Sequence, residues 1–227
     1  MNNSVTNTAR LLWAGLRALL VLTLVTGVVY PLVVTGIAQG VFPGRANGSE
    51  IEADGHVAGS SLIGQAYDLP LKKGQETPEP DLKWFQGRPR NGLGVNSVNT
   101  RYKLILSGAT NRSADDKDLI DWVTAAKAAV VEDNSTADYR VSPSDVPADA
   151  VTSSGSGLDP DISPRYADIQ VHRIAERNGL SVAQVRKLVD EHTEGRTLGF
   201  LGEPRVNVLE LNLALKGLLT KGSTPTR

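Results

Sequence analysis

Hydrophobic and polar residues segregate sharply along this chain. From Ala18 to Gly44 there is no Lys, Arg, Asp or Glu, and Val and Leu dominate. Roughly 20 apolar residues, each rising 1.5 Å, cross the hydrocarbon core of a bilayer, so the stretch predicts a transmembrane helix over 18–44. Beyond Arg45 the pattern changes to short apolar runs set among polar residues. Leu119, Val123, Ala126 and Val130 recur at helical spacing behind the S-x-x-D start of Ser113 and Asp116, predicting a helix over 114–132. Ser163-Pro164 opens a second helix that stops at Asn178-Gly179. Ser181 and Gln184 form a capping box, with Leu180 and Val185 as its staple and Val182, Val185, Leu188 and Val189 as the buried face of a third helix. After Pro204, Asn207-Val208-Leu209-Glu210 starts a last helix with Val208, Leu211, Leu215 and Leu218 on one stripe. Residues 57–69 read as strand and turn, and Tyr102-Lys103-Leu104-Ile105-Leu106 as a short extended run. The Ser-, Asp-, Pro- and Gly-rich residues 134–156 read as irregular surface structure with one short strand. The whole predicts a single N-terminal transmembrane helix followed by one α+β domain over 45–227.

Charge orients the span. Arg10 and Arg17 precede it without acids, whereas Arg45 is followed by Glu50, Glu52 and Asp54 before the next base at Lys72. The positive-inside rule then places residues 1–17 in the cytoplasm and the domain outside the membrane. A cleaved signal peptide is the rival reading; the apolar run is too long for a signal core, and no A-x-A site closes it. The chain has no cysteine, which excludes a lipoprotein anchor, a disulfide framework, a thiol nucleophile and a cysteine-ligated zinc. Of the 24 basic residues, all but Arg10 and Arg17 lie from Arg45 onward with all 25 acidic ones, without a basic stripe. That slightly acidic balance argues against nucleic acid as a partner.

The apolar helix is more than an anchor of Leu and Val. Gly36 and Gly40 make a GxxxG pair, and Thr23 and Gly27 repeat the small-xxx-small spacing earlier. Small residues one turn apart let helix backbones approach, which drives packing where lipid removes the hydrophobic incentive. Pro31 removes one backbone bond and predicts a kink. Thr23, Gly27, Pro31, Gly36 and Gly40 are therefore the candidate residues for packing against a partner helix.

Reactive chemistry is sparse. G-x-S-x-G, S-x-x-K, H-E-x-x-H and the P-loop pattern are all missing, and no catalytic set assembles. His56, His172 and His192 lie far apart without ligand-like spacing, and no metal site is expected. Asp159 and Asp161 fail the calcium-loop pattern and fit turn chemistry around Pro160, with electrostatic support for the helix after Ser163. Ser153-Ser154-Gly155-Ser156-Gly157 could cradle a phosphate, but no Lys follows and a turn is the simpler reading. Gln170 sits mid-helix between Ile169 and Val171, where an exposed amide is the simple expectation.

Several segments, in order along nearly the whole chain, resemble one family. They are Thr26-Gly27-Val28-Val29-Tyr30-Pro31-Leu32, Phe42-Pro43, Ala46-Asn47-Gly48-Ser49, Gly59 to Gln65, Phe85-Gln86-Gly87-Arg88-Pro89, Ser154 to Pro164, Gln170, Arg173-Ile174-Ala175 and Val206 to Leu215. Together they are similar to the C subunit of bacterial Kdp potassium-transporting P-type ATPases. The segment from Arg90 to Ser113 departs from the family pattern, with Ser107 to Ser113 the nearest match and Arg112 in place of an apolar residue. The resemblance implies a non-catalytic inner-membrane subunit, needed for assembly, that raises the ATP affinity of the pump subunit. Its implied partners are the channel-like K⁺ subunit, the P-type ATPase subunit and membrane lipid. No covalently bound cofactor is implied; ATP enters through the pump subunit, with Gln170 as the candidate nucleotide-linked contact. A stand-alone membrane-anchored binding module is the alternative.

Overall fold

The computed structural model describes residues 3–95 and 105–222. The chain divides into two compact units, Met1–Glu50 and Ile51–Arg227. The first is helical. α1 (Asn3–Leu24) runs through a π turn (Val25–Val29) into α2 (Tyr30–Val41), giving one apolar helix of 38 residues over Ser4–Val41. At 1.5 Å per residue it is about 57 Å long, well beyond a hydrocarbon core of about 30 Å. The π turn is the local answer to Pro31. The Tyr30 N–H donates to the Val25 carbonyl, five residues back, so the ladder widens one step before the residue that has no N–H to give. Phe42 leaves helical geometry, and Pro43 starts α3 (Pro43–Ala46). The Gln39 and Asn47 amides exchange hydrogen bonds of 3.0 and 3.3 Å across this elbow.

The second unit opens with a two-stranded sheet, β1 (Glu50–Ala53) and β2 (His56–Ser60). β3 (Gly94–Val95) pairs antiparallel with β4 (Ile105–Leu106), with Gly94 opposite Leu106. Tyr102 to Leu104 of the expected extended run lie outside the described residues. α4 (Lys117–Asn134) starts three residues later than its S-x-x-D signal suggests. Asp116 is the cap and accepts the Leu119 N–H, because Arg112 pairs with both Asp116 and Asp118 and holds that carboxylate at the helix mouth. Among the described residues, 134–156 contains no strand; a 3₁₀ turn over Ala148–Ala150 stands in its place. This segment reaches the core through Val141, Ala150 and Val151, all buried.

The last third follows its punctuation closely. β5 (Asp161–Ile162) leads into α5 (Pro164–Asn178), where the Ser163 hydroxyl accepts the Tyr166 N–H and Gly179 closes the helix at φ 65°. In α6 (Val182–Glu191) both halves of the Ser181–Gln184 capping box are made. β6 (Thr193–Glu194) and β7 (Arg205–Asn207) complete a three-stranded antiparallel sheet in the order β5-β7-β6. α7 (Val208–Gly222) continues without a break, its start capped by the Asn207 side chain on the Glu210 N–H. The core gathers Ile169, Val171 and Ile174 of α5, Val185 and Val189 of α6, Val206 of β7, Leu211 and Leu215 of α7, and Phe85 from an extended segment. Each such side chain contributes about 1.5–3 kcal/mol of burial.

A buried amide clasp and candidate interaction residues

The helix stripe of α5 puts Gln170 and Arg173 where apolar residues would normally sit, both with essentially no exposure. The expected exposed glutamine is thus corrected: its neighbours Tyr166, Ala167 and Ile174 share the inward face, and the amide follows them inside. Its partner is main chain. The Gln170 Oε1 accepts the Gln86 N–H at 2.7 Å, and its Nε2 donates to the Gln86 carbonyl at 3.0 Å. One residue earlier Asn212 of α7 does the same for Phe85, with Oδ1 accepting the N–H and Nδ2 donating to the carbonyl, both at 2.9 Å. Two side-chain amides from two helices therefore replace a neighbouring strand for the segment Phe85-Gln86. That lets an extended backbone cross the core with its polar groups satisfied.

Arg173 ties the same segment a third way. Its Nε donates to Asn134 Oδ1 at 2.8 Å and its Nη2 to Gln170 Oε1 at 2.6 Å. Its Nη1 donates to the carbonyls of Leu82 and Trp84. These acceptors are all neutral, and burial pulls the guanidinium down to about 10, which still leaves it charged at neutral pH. Asp133 and Asp81 are acids that act on it at a distance; burial raises the Asp133 carboxyl, and Arg173 only partly offsets that. Asn134 and Asn212 were not legible as buried polar residues, although Asn212 lies on the Val208–Leu211–Leu215 stripe that marks the inner face of α7.

The flanking motifs fasten to one another. Arg88 pairs with Asp159 at 2.9 Å and also reaches the carbonyls of Thr152 and Ser153. The Gly64 N–H donates to the Leu158 carbonyl at 2.8 Å, and the Gly108 N–H to the Ser156 carbonyl at 3.0 Å. The Ser153–Gly157 segment is a turn that offers carbonyls to its neighbours, while the Gly157 N–H donates to the Ser154 carbonyl within the turn. Asp159 accepts the Asp161 N–H, and Asp161 pairs with Arg205. The expected turn chemistry is present. Asp149 braces the start of α5 directly, accepting from the N–H and hydroxyl of Ser163.

A groove of about 920 Å³ lies against the clasp, lined among others by Arg88, Arg90, Arg173, Asp68, Glu76 and Asp133. Three cations face three acids, so its walls carry no dominant sign. Two of the three histidines serve the fold: His172 stacks on Tyr139 with centroids 4.0 Å apart, and His192 Nδ1 meets the Leu188 carbonyl at the end of α6; His56 is exposed in β2. Among the described residues no group of His, Asp and Glu could hold a metal ion.

In the apolar helix, Thr23 lies in α1, Gly27 in the π turn, and Pro31, Gly36 and Gly40 in α2. Beyond the helix's own backbone, nothing among the described residues lies within 4 Å of where a Cβ on Gly36 or Gly40 would project, and the Thr23 methyl is 4.0 Å from that point on Gly27. The extra residue of the π turn rotates α2 by about 100° relative to an unbroken helix. Gly27 and Gly36 are nine residues apart, about 180° around an unbroken helix, so the spacing itself makes two separate small-residue pairs, and the π turn narrows the angle between them to about 80°.

Residues 12–217 match the family model described as K⁺-transporting ATPase, c chain. A protein of Streptomyces avermitilis named potassium-transporting ATPase KdpC subunit is 82% identical over 219 residues, covering 96% of this chain and 99% of that protein. Its namesake in Streptomyces coelicolor is 75% identical over 98% of this chain and 99% of its own length. A more distant one in Kineococcus radiotolerans retains 44% identity over 95% of this chain and 98% of its own. On a match that spans both units and every segment of the clasp, this chain belongs to the KdpC family, the c chain of K⁺-transporting ATPases.

Proposed function

We propose that this chain is the accessory subunit of a Kdp-type K⁺-importing ATPase. It stabilises the complex in the inner membrane and raises the ATP affinity of the P-type pump subunit without reactive groups of its own. The observation that carries the assembly role is the π turn. The Tyr30 N–H is committed to Val25, and residue 31 has no N–H, so the Thr26 carbonyl has lost both of its regular helical donors. A backbone acceptor without a partner is costly in hydrocarbon, and a polar side chain from a neighbouring helix answers it. Gly27, one residue on, leaves room for that approach. The channel-like K⁺ subunit and the pump subunit are the partners in this reading, with the N-terminus cytoplasmic and the Ile51–Arg227 unit outside.

The influence on ATP is then allosteric, passed through packed subunits. Two features favour this over a nucleotide held by the chain itself. The Gln170 amide is fully engaged with Gln86 and Arg173, and the adjoining groove balances its cations with acids. The deciding experiment is K⁺-stimulated ATP hydrolysis by the complex purified with and without this chain, over a range of ATP concentrations. A raised KM for ATP with kcat preserved supports the affinity role. Loss of the complex, or a fall in kcat at constant KM, overturns it in favour of assembly or gating alone. Saturable ATP binding by the isolated full-length chain, abolished by Gln170→Ala, would overturn the allosteric route.

A further inference from the structure

Between β6 and β7 the chain leaves the domain as an arm. Every residue from Glu194 to Arg205 is exposed, yet the tip is apolar: Leu198 is 79% exposed, Phe200 69% and Leu201 51%. This tip has a fixed shape. Thr197 and Leu201 exchange both backbone hydrogen bonds at 2.9 Å, and the Gly199 N–H donates to the Arg196 carbonyl at 3.0 Å. Leu198 holds φ 55°, a left-handed conformation that a leucine adopts at a cost, followed by Gly199 at 82°. A closed turn that strains a leucine in order to expose it gains nothing for the fold of this chain.

We infer that Leu198, Phe200 and Leu201 form a preorganised apolar knob that seats in an uncharged apolar pocket on another protein subunit of the ATPase complex. The inference rests on the accessory-subunit reading above. Charge decides between a protein pocket and a lipid surface. Arms that bind headgroups offer free Lys or Arg, but both arginines here are matched: Arg196 with Glu203 at 2.7 Å, and Arg205 with Glu194 at 2.7 Å and Asp161 at 3.2 Å. The neck is neutral and the tip is greasy. A rigid knob also suits a preformed pocket, where its shape has been fixed before binding, whereas a fluid bilayer makes no use of that shape. Buried aromatic and aliphatic anchors of this kind supply most of the affinity at protein interfaces.

The test uses the intact complex, purified through a tag on the pump subunit, with a photo-crosslinking side chain at position 200. An adduct to one of the other subunits is expected. The paired variant Leu198→Asn with Phe200→Ser keeps a residue suited to the left-handed position and removes the apolar surface. It should leave the melting of the isolated full-length chain unchanged and lower its retention in the complex at least tenfold. Adducts only to lipid, or only to a second copy of this chain, overturn the inference, as does full retention of the paired variant. If the wild-type chain itself fails to co-purify with the ATPase subunits, the accessory-subunit reading falls. If wild type and variant co-purify equally, the knob alone falls.

Discussion

Two regions of this molecule satisfy their backbone in opposite ways. In the core of α5, α6 and α7, an extended segment with no neighbouring strand has its N–H and carbonyl groups answered by Asn212, Gln170 and Arg173 from within the same unit. In the Ser4–Val41 helix, the Thr26 carbonyl is left without its regular donors, and the small residues of α2 meet nothing of the chain. One region is self-sufficient, and the other is left open within this chain, as the proposed accessory role requires. The same kind of substitution should therefore read out as folding in the first and as association in the second.

The largest effect is expected from Arg173→Leu. The side chain is close in volume, but its loss strands Asn134 Oδ1 and the Leu82 carbonyl, leaves the Trp84 carbonyl only a 3.4 Å bond from Gln86 Nε2, and removes one of the contacts to Gln170. Several buried acceptors orphaned together cost about 3–5 kcal/mol. Denaturant unfolding of the full-length chain in detergent measures this. Gln170→Ala should cost less, because Arg173 keeps its other three acceptors. If Arg173→Leu unfolds at the wild-type midpoint, the claim of a self-sufficient core is broken.

Next is Gly64→Ala. A Cβ there would collide with the main-chain carbonyl of Asp159, which the Arg88–Asp159 pair and the Gly64–Leu158 hydrogen bond hold in place. Backbone must shift to admit it, at about 1–3 kcal/mol. Urea midpoints of the two chains report it. Equal midpoints would mean that these motif loops are looser than the hydrogen bonds imply.

The contrast also explains what the sequence makes legible. Ser163, Gly179 and the Ser181–Gln184 box announce themselves because capping is local chemistry, settled within four residues. The start of α4 misleads because Arg112 pairs with two acids at once, Asp116 and Asp118, which no start signal encodes. Gln170 misleads more deeply. A polar residue on a helix is taken as exposed, and only the long-range arrival of Gln86 makes its burial tolerable. The stripe of α7 did carry a hint, since Asn212 interrupts an otherwise apolar face where a polar residue has to find a buried partner. The candidate packing residues were legible as two pairs by their spacing, but the π turn that narrows the angle between those pairs depends on how the ladder accommodates Pro31.

Gly36→Leu with Gly40→Leu sharpens the other side of the comparison. Both sites are open within this chain, so the domain should unfold as wild type does. Leucine side chains would instead hold a partner helix away, and retention in the ATPase complex should fall about tenfold, equivalent to ~1.4 kcal/mol. Co-purification at graded detergent concentration measures it. Undiminished retention would remove α2 from the interface and leave the helix as an anchor.

The smallest expected effect separates the domain's own pH response from that of the complex. The His172 imidazole is held below its usual value of 6.5 first by burial and then by Arg186, while it stacks on Tyr139. A folded-state value below the unfolded one means that folding favours the neutral ring. That contribution is complete above 6.5 and is lost as the pH falls through the folded value. The ring is part-buried rather than enclosed, so the loss amounts to about 0.5 kcal/mol or less. His172→Phe keeps a stacking ring that does not titrate, so the wild-type unfolding midpoint should decline slightly relative to that of the variant as the pH falls below 6.5. A wild-type profile as flat as that of the variant would show that the stack tolerates the imidazolium. The pH response of this unit would then have to come from its carboxyls, among them Asp133 and Asp161, both raised by burial.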